Sequence, residues 1–140
     1  MNGFILLAAR ILLAALFIVS GVFKFADIPG TTGYIAAYGL PMPTILAWLG
    51  GIFETVAGLA ILVGFQTTLV SFALAAFCIV LAFIFHTNPI NIPDFPEGAN
   101  AMLTQFNQIM LLKNLSIAGG FLALAIAGAG AWSVDGRRGK

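Results

Sequence analysis

Four long, uninterrupted runs of apolar residues constrain the fold of this chain more than any other feature of its sequence. A helix needs about 20 mostly apolar residues to cross the roughly 30 Å hydrocarbon core of a bilayer. Runs of this kind cover residues 4–26, 44–65, 67–85 and 106–132. They do not alternate with polar residues, which excludes a transmembrane β-barrel. The sequence therefore predicts an all-α protein, an integral membrane bundle of four transmembrane helices that forms one domain over residues 1–140.

The composition excludes most other classes of protein. Of the 140 residues, 61% are hydrophobic and only 8% are charged, whereas an ordinary soluble domain is roughly 25% charged. Six basic and five acidic side chains cannot cover a water-soluble domain, and the sequence has no basic patch that would bind nucleic-acid phosphates. We therefore exclude a soluble enzyme, a disordered segment and a nucleic-acid-binding protein, and we expect the lipid bilayer as a partner.

The first apolar run resembles a signal peptide in length, but its details favour a permanent helix. No Lys or Arg precedes the run, Arg10 interrupts it, and no small-x-small cleavage site follows promptly. We therefore count the segment 4–26 as the first of the four spans.

The positive charges predict the orientation of the bundle. Arg137, Arg138 and Lys140 follow the last run, whereas the link 86–105 carries two acidic residues and no Lys or Arg. The positive-inside rule then places the C-terminus in the cytoplasm, and an even number of spans places the N-terminus there as well. The links 27–43 and 86–105 are expected to face outward.

Two local patterns predict further structure. Tyr34 and Tyr38 lie four residues apart among Pro and Gly residues, which suits a short interfacial turn with both rings at headgroup level. Small residues recur every four positions in the fourth run, which predicts a seam for close helix packing, and the second run has a looser version of this pattern. The first seam contains Gly119, Ala123, Ala127 and Ala131, and the second contains Gly51 and Gly58.

Seven polar or ionisable residues at or near membrane depth are the candidate functional residues. Such side chains are costly in hydrocarbon, so each is a functional hypothesis by default. The set contains Arg10, Ser20, Lys24, Glu54, His86, Lys113 and Asn114. From a rise of about 1.5 Å per residue, Lys24, His86, Lys113 and Glu54 are placed in the outer half of the bundle. Arg10 lies deeper, toward the cytoplasm.

A buried Glu54 carboxylate needs a cation, and Arg10, Lys24 or Lys113 could supply it. We favour Arg10, because both groups lie well inside the apolar slab. The cations left over would reach water or headgroups, or would match a ligand. For every residue of the set, the alternative is a structural role, either as a tie within the bundle or as a side chain that reaches water separately.

No motif in the sequence encodes a cofactor or a metal site. The single histidine excludes a bis-His haem, and Cys78, the single cysteine, excludes a Cys-x-x-Cys pair and an intramolecular disulfide. The sequence shows no phosphate loop, nucleotide-binding fingerprint or Ser/His/Asp arrangement. Electrons in a redox reaction would therefore need a bound organic cofactor or a partner subunit.

Five short motifs follow one another along the chain. The first is Arg10, an apolar run and Ser20-Gly21-Val22-Phe23-Lys24; the others are Gly39-Leu40-Pro41, Glu54 with Gly58 and Leu62-Val63-Gly64, Phe85-His86, and Lys113-Asn114-Leu115 with Gly119-Gly120. Together they resemble the DoxX family of small four-helix proteins of the bacterial inner membrane. The resemblance covers essentially the whole chain.

The resemblance implies fold and location better than it implies a reaction. Some relatives are small subunits of thiosulfate:quinone oxidoreductase or terminal quinol oxidase assemblies. The leading hypothesis is a membrane subunit of a quinone-linked oxidoreductase system, whose outward polar cluster binds a quinone or a small anion and whose partner is another oxidoreductase subunit. Whether the chain is itself an enzyme, or forms a homo-oligomer, is left open. The alternative is a non-catalytic membrane scaffold or cargo-binding protein, and a small transporter is a third hypothesis.

Overall fold

A computed structural model describes residues 3–139, apart from the side chain of Glu97. Its helices are α1 (Gly3–Ala26), α2 (Ile28–Ala37), α3 (Pro43–Val63), α4 (Thr67–Phe85), α5 (Glu97–Ala127) and α6 (Val134–Arg137). Four of them, α1, α3, α4 and α5, are long and apolar enough to cross a membrane. The predicted all-α membrane bundle of four helices is confirmed.

The bundle is assembled from two helix pairs, α1 with α3 and α4 with α5. Between the pairs, Phe17 meets Phe121 edge to face with ring centroids 5.4 Å apart. Phe53 of α3 lies against Phe77 of α4 with centroids 4.9 Å apart. The short helix α2 packs on α3 at one end of the bundle, which we term the α2 end. At the opposite end, termed the terminal end, Gly3 lies beside Ala131.

Glycines allow α1 and α3 to approach closely. A Cβ atom on Gly21 would collide with the Thr55 hydroxyl and would lie 2.9 Å from the backbone oxygen of Gly51. A Cβ atom on Gly58 would lie 2.8 Å from the side chain of Ile18. Both distances are shorter than ordinary carbon contacts, so the seam predicted for the second span packs against α1.

We expect Gly21→Ala to destabilise the protein by about 1–3 kcal/mol, because the added methyl group meets backbone atoms that cannot rotate away. The measurement is the thermal midpoint of unfolding in mild detergent. Gly119→Ala is the matched control, since a Cβ atom there would have no neighbour within 4 Å. Equal midpoints for the two variants would contradict close packing of α1 on α3.

The seam predicted for the fourth span does not pack inside the bundle. Its members Gly119, Ala123, Ala127 and Ala131 are all exposed. The helix α5 instead buries another face, which carries Ala118, Phe121, Leu124 and Ala125. A spacing of four residues identifies a stripe on a helix but not the partner that the stripe faces, and here larger apolar side chains fill the interface.

The fourth long helix begins at Glu97, whereas the apolar run from which the span was predicted begins at Phe106. Its first turns are polar because they bind the preceding link. The Asn100 side chain accepts a hydrogen bond from the Ile92 backbone N–H at 3.0 Å, and Thr104 binds the backbone of Ile90 in a similar way. Hydropathy alone does not predict these turns as helical, because they are polar and bind the preceding link.

The same helix ends at Ala127, whereas the apolar run continues to Trp132. Gly128 and Gly130 follow with φ angles of +77° and +79°, a left-handed conformation that glycine adopts at little cost. The chain then turns back over the terminal end. The first three long helices lie within two residues of their predicted bounds.

The predicted interfacial turn is a helix, α2. Asp27 is its N-cap, and its carboxylate accepts a hydrogen bond from the Gly30 backbone N–H at 2.9 Å. Pro29 occupies the first turn, where its missing N–H group would have had no partner in the helix. A proline of the predicted turn therefore lies in the first turn of a helix, and Tyr34 and Tyr38 lie one turn apart near its end.

Candidate ligand-binding site

A buried ion pair joins α1 to α3. The Lys24 Nζ atom lies 2.7 Å from Glu54 Oε2 and donates a second hydrogen bond to Ser20 Oγ at 2.9 Å. The Glu54 side chain is only 4% exposed, and that of Lys24 is 26% exposed. Because helical side chains lean toward the N-terminus of their helix, Lys24 can reach from near the end of α1 back into the bundle. The pair neutralises a carboxylate that is buried in apolar surroundings.

The predicted pairing of Glu54 with Arg10 is wrong. Arg10 is fully buried, but its Nη1 donates to the backbone oxygen of Leu62 at 3.1 Å and its Nη2 donates to that of Trp132. Leu62 lies eight residues beyond Glu54, or about 12 Å along the helix. The guanidinium therefore binds one carbonyl group at the end of α3, where the last carbonyls lack partners within the helix, and one in the segment that follows α5.

Arg10 belongs to a second polar cluster at the terminal end, the terminal clasp, which consists of Arg10, Gly64 and Asp135. The Asp135 carboxylate accepts hydrogen bonds from the backbone N–H groups of Gln66 (3.0 Å) and Thr67 (2.8 Å). It caps the start of α4, which has no side-chain cap of its own. Asp135 also donates its backbone N–H to the oxygen of Gly64 at 2.9 Å, and its charge attracts Arg10.

A cavity of about 1000 Å³ lies beside the ion pair, between α3 and α4 and under α2. Volumes of about 300–1,000 Å³ are typical of sites for organic ligands. The lining is mostly apolar, and among its polar side chains are Lys24, Glu54, Tyr34, His86 and Asn114. Four residues of the predicted set, from α1, α3, α5 and the C-cap of α4, therefore share one cavity.

Aromatic rings fix α2 over this cavity. The Tyr34 ring stacks on Phe85, with centroids 5.4 Å apart and an angle of 19° between the planes. Tyr38 meets Phe85 edge to face, and its hydroxyl donates to the Phe85 backbone oxygen at 3.0 Å. Burial, and to a smaller extent the neighbouring Tyr38, raises the pKa of Tyr34, so this hydroxyl stays neutral.

His86 is held by an asparagine that the sequence reasoning missed. Its Nδ1 lies 2.7 Å from Asn107 Oδ1, and Asn107 Nδ2 donates to the backbone oxygen of Asn88 at 3.1 Å. Asn107 lies seven residues before Asn114, two turns away on the same side of α5, and this spacing was the signal that could have revealed it. On Asn114, the Nδ2 group donates to the Met110 backbone oxygen at 3.1 Å.

The structure separates Lys113 from the predicted outer cluster. Its side chain is exposed and it does not line the cavity, because successive residues of a helix point about 100° apart. The neighbouring Asn114 faces the cavity instead. Within residues 3–139, Lys24–Glu54 is the ion pair that the structure shows, and no group of three metal-ligating side chains occurs there.

The site residues from α1 to α4 fall within a segment that matches a known family. The model of the DoxX family matches residues 5–87, which is more than half of the chain. The chain belongs to the DoxX family. Lys24, Glu54 and His86 lie inside the matched segment of this DoxX protein, whereas Asn107 and Asn114 lie beyond it.

Two relatives extend the match over nearly the whole DoxX chain. One is Inner membrane protein YqjF of Escherichia coli (strain K12), 41% identical over 132 residues that make up 92% of this chain and 88% of the relative. The other is Inner membrane protein YphA of the same organism, 36% identical over 133 residues, 95% of this chain and 89% of the relative. No solved structure matches the chain. The DoxX protein is an integral inner-membrane protein.

Proposed function

We propose that this DoxX protein binds a quinone, or a similar neutral carbonyl compound soluble in lipid, in the cavity beside Lys24 and Glu54. The observation that supports the proposal is a partly buried ammonium group with one N–H donor that has no partner in the hydrogen bonds described above. A lysine ammonium has three N–H donors, and Lys24 uses two of them for Ser20 and Glu54. The third can bind a ligand carbonyl in a cavity whose other walls are mostly apolar.

The geometry favours a neutral ligand over the small anion that was the other candidate. The charge of Lys24 is already matched by Glu54 at 2.7 Å, and Lys113, which would have added a second positive charge, lies outside the cavity. An anion would therefore meet a nearly neutral site and would lose its hydration on entering. A quinone loses little hydration and keeps its hydrogen bond.

A quinone in this cavity would suit a membrane subunit of an oxidoreductase system. Electrons would have to come from a partner subunit, since the chain carries one cysteine and one histidine and no redox motif. The rival proposal is a membrane scaffold, in which the Lys24–Glu54 pair only ties α1 to α3. The two proposals differ in whether the cavity binds a ligand.

The binding of a soluble quinone analogue such as decylubiquinone tests the proposal. We expect it to raise the thermal midpoint of the purified protein, and we expect Lys24→Met to weaken its binding about tenfold, because one charge-assisted hydrogen bond contributes about 1.5–3 kcal/mol. Lys113→Met is the matched control and should bind as the wild type does. A wild-type protein that binds no quinone analogue would support the scaffold.

We also propose that both termini lie in the cytoplasm and that α2 and the link 86–96 lie outside, as the positive-inside rule indicates. The four-helix fold supports an even number of crossings. In a Cys78→Ala background, a membrane-impermeant thiol reagent added to spheroplasts should label Gly33→Cys on α2 and leave Arg138→Cys unlabelled. The reverse pattern would contradict this orientation.

A further inference from the structure

The cavity reaches the lipid-facing surface of the bundle between α3 and α4. Leu49 and Val80 line it and are also 56% and 52% exposed. Ala73 and Ala76 likewise both line the cavity and are exposed. Side chains that belong to the cavity wall and to the outer surface at once mark an opening, and these lie on two membrane-spanning helices.

The packing of the bundle explains why the opening lies there. Although α3 and α4 follow each other in sequence, α3 packs chiefly on α1 and α4 chiefly on α5. The two helices are joined by the short turn after Val63, and they meet again at Phe53 and Phe77. Around this ring contact they leave a cleft rather than a packed interface, since residues of α4 on both sides of Phe77 line the cavity.

The opposite route, from water at the α2 end, is obstructed. Tyr38 ties α2 to the last residue of α4 through a hydrogen bond to the Phe85 backbone, and Tyr34 stacks on the same residue. Ile35 is buried and packs in the same cluster. A ligand that came from the aqueous phase would have to break these contacts, whereas a ligand in the bilayer would not.

We infer that the ligand enters from the bilayer, sideways between α3 and α4, and carries an apolar tail that stays in this opening. The head group, a ring with a hydrogen-bond-accepting carbonyl, then reaches Lys24, while the tail lies against Leu49, Val80 and Ile84. This inference rests on the proposed function, and it specifies the ligand as a tailed carbonyl compound of the bilayer rather than a metabolite dissolved in water.

A photoaffinity probe tests the route. The probe is a benzoquinone with a decyl tail that carries a diazirine at its middle carbon, added to the protein in lipid nanodiscs and located by mass spectrometry of the labelled peptides. We expect labels on Leu49, Val80 or Ile84. Labels on α2, at Thr31 or Tyr34, would overturn the sideways route.

Two tryptophan variants provide the control. Ala76→Trp narrows the opening and should reduce labelling at least fivefold, whereas Ala123→Trp places the same bulk on an exposed part of α5 outside the cavity and should change it less than twofold. Equal labelling of the two variants would overturn the inference.

A separate thermal-shift measurement with the tail-less benzoquinone head tests the proposed function itself. If the head group binds the wild type and this binding is lost in Lys24→Met, the site is supported even if the route is wrong.

Discussion

Replacing Glu54 with glutamine should lower the free energy of unfolding by about 3 kcal/mol. Lys24 would then keep its positive charge in an apolar region without the carboxylate that lies 2.7 Å away. Breaking a buried pair costs about 3–5 kcal/mol, and the lower end applies because Lys24 is 26% exposed. The measurement is an unfolding curve in mild detergent, since the effect should shift the midpoint clearly.

A double-mutant cycle shows whether the two residues are coupled. We expect the combination of Glu54→Gln with Lys24→Met to lose less stability than the sum of the single losses, because the second change removes the unpaired charge. The matched cycle with Lys113→Met should be additive, since Lys113 is exposed and lies outside the cavity. Additive losses in the first cycle would show that the ion pair does not form.

The second large effect is expected at Arg10, where Arg10→Met should cost about 3–5 kcal/mol. The change leaves the backbone oxygens of Leu62 and Trp132 without their donor. It also removes the attraction between the Arg10 guanidinium and the Asp135 carboxylate. Arg10→Lys should recover only part of the loss, because one ammonium group lacks the planar fork that binds two carbonyl oxygens.

Arg137→Met is the control for Arg10. Arg137 is exposed at the same end of the bundle, and surface changes of this kind usually stay within about 0.5 kcal/mol. The unfolding midpoint of Arg10→Met should therefore fall well below that of Arg137→Met. Equal midpoints would mean that the terminal clasp contributes nothing to stability.

The long helices could be predicted from sequence because a single physical requirement determines them. A segment that crosses a bilayer must be apolar for about 20 residues, and this requirement is local. The start of α5 at Glu97 was not predictable in this way, because its first turns are polar. They are stabilised by contacts of Asn100 and Thr104 with the preceding link. The helical form of α2 was not predicted either, because Pro and Gly residues around Tyr34 and Tyr38 favour a turn.

The candidate site was predicted in its residue types but not in its connections. Counting residues along a helix gives depth, and depth placed Arg10 and Glu54 both inside the slab. It gives neither the rotation of the helix about its own axis nor the direction in which a side chain extends. These two properties bring Lys24 to Glu54 and keep Lys113 out of the cavity that Asn114 lines. Such information comes only from the packing of α1 on α3 and of α5 on α4.

The terminal clasp also orders events during synthesis of the chain. Arg10 emerges from the ribosome with the first helix, but Trp132 and Asp135, which bind it and cap α4, emerge about 120 residues later. Until then, a guanidinium group and the first N–H groups of α4 lack their final partners. The bundle can therefore close at its terminal end only after Asp135 has been synthesised, when all four membrane-spanning helices have already been made.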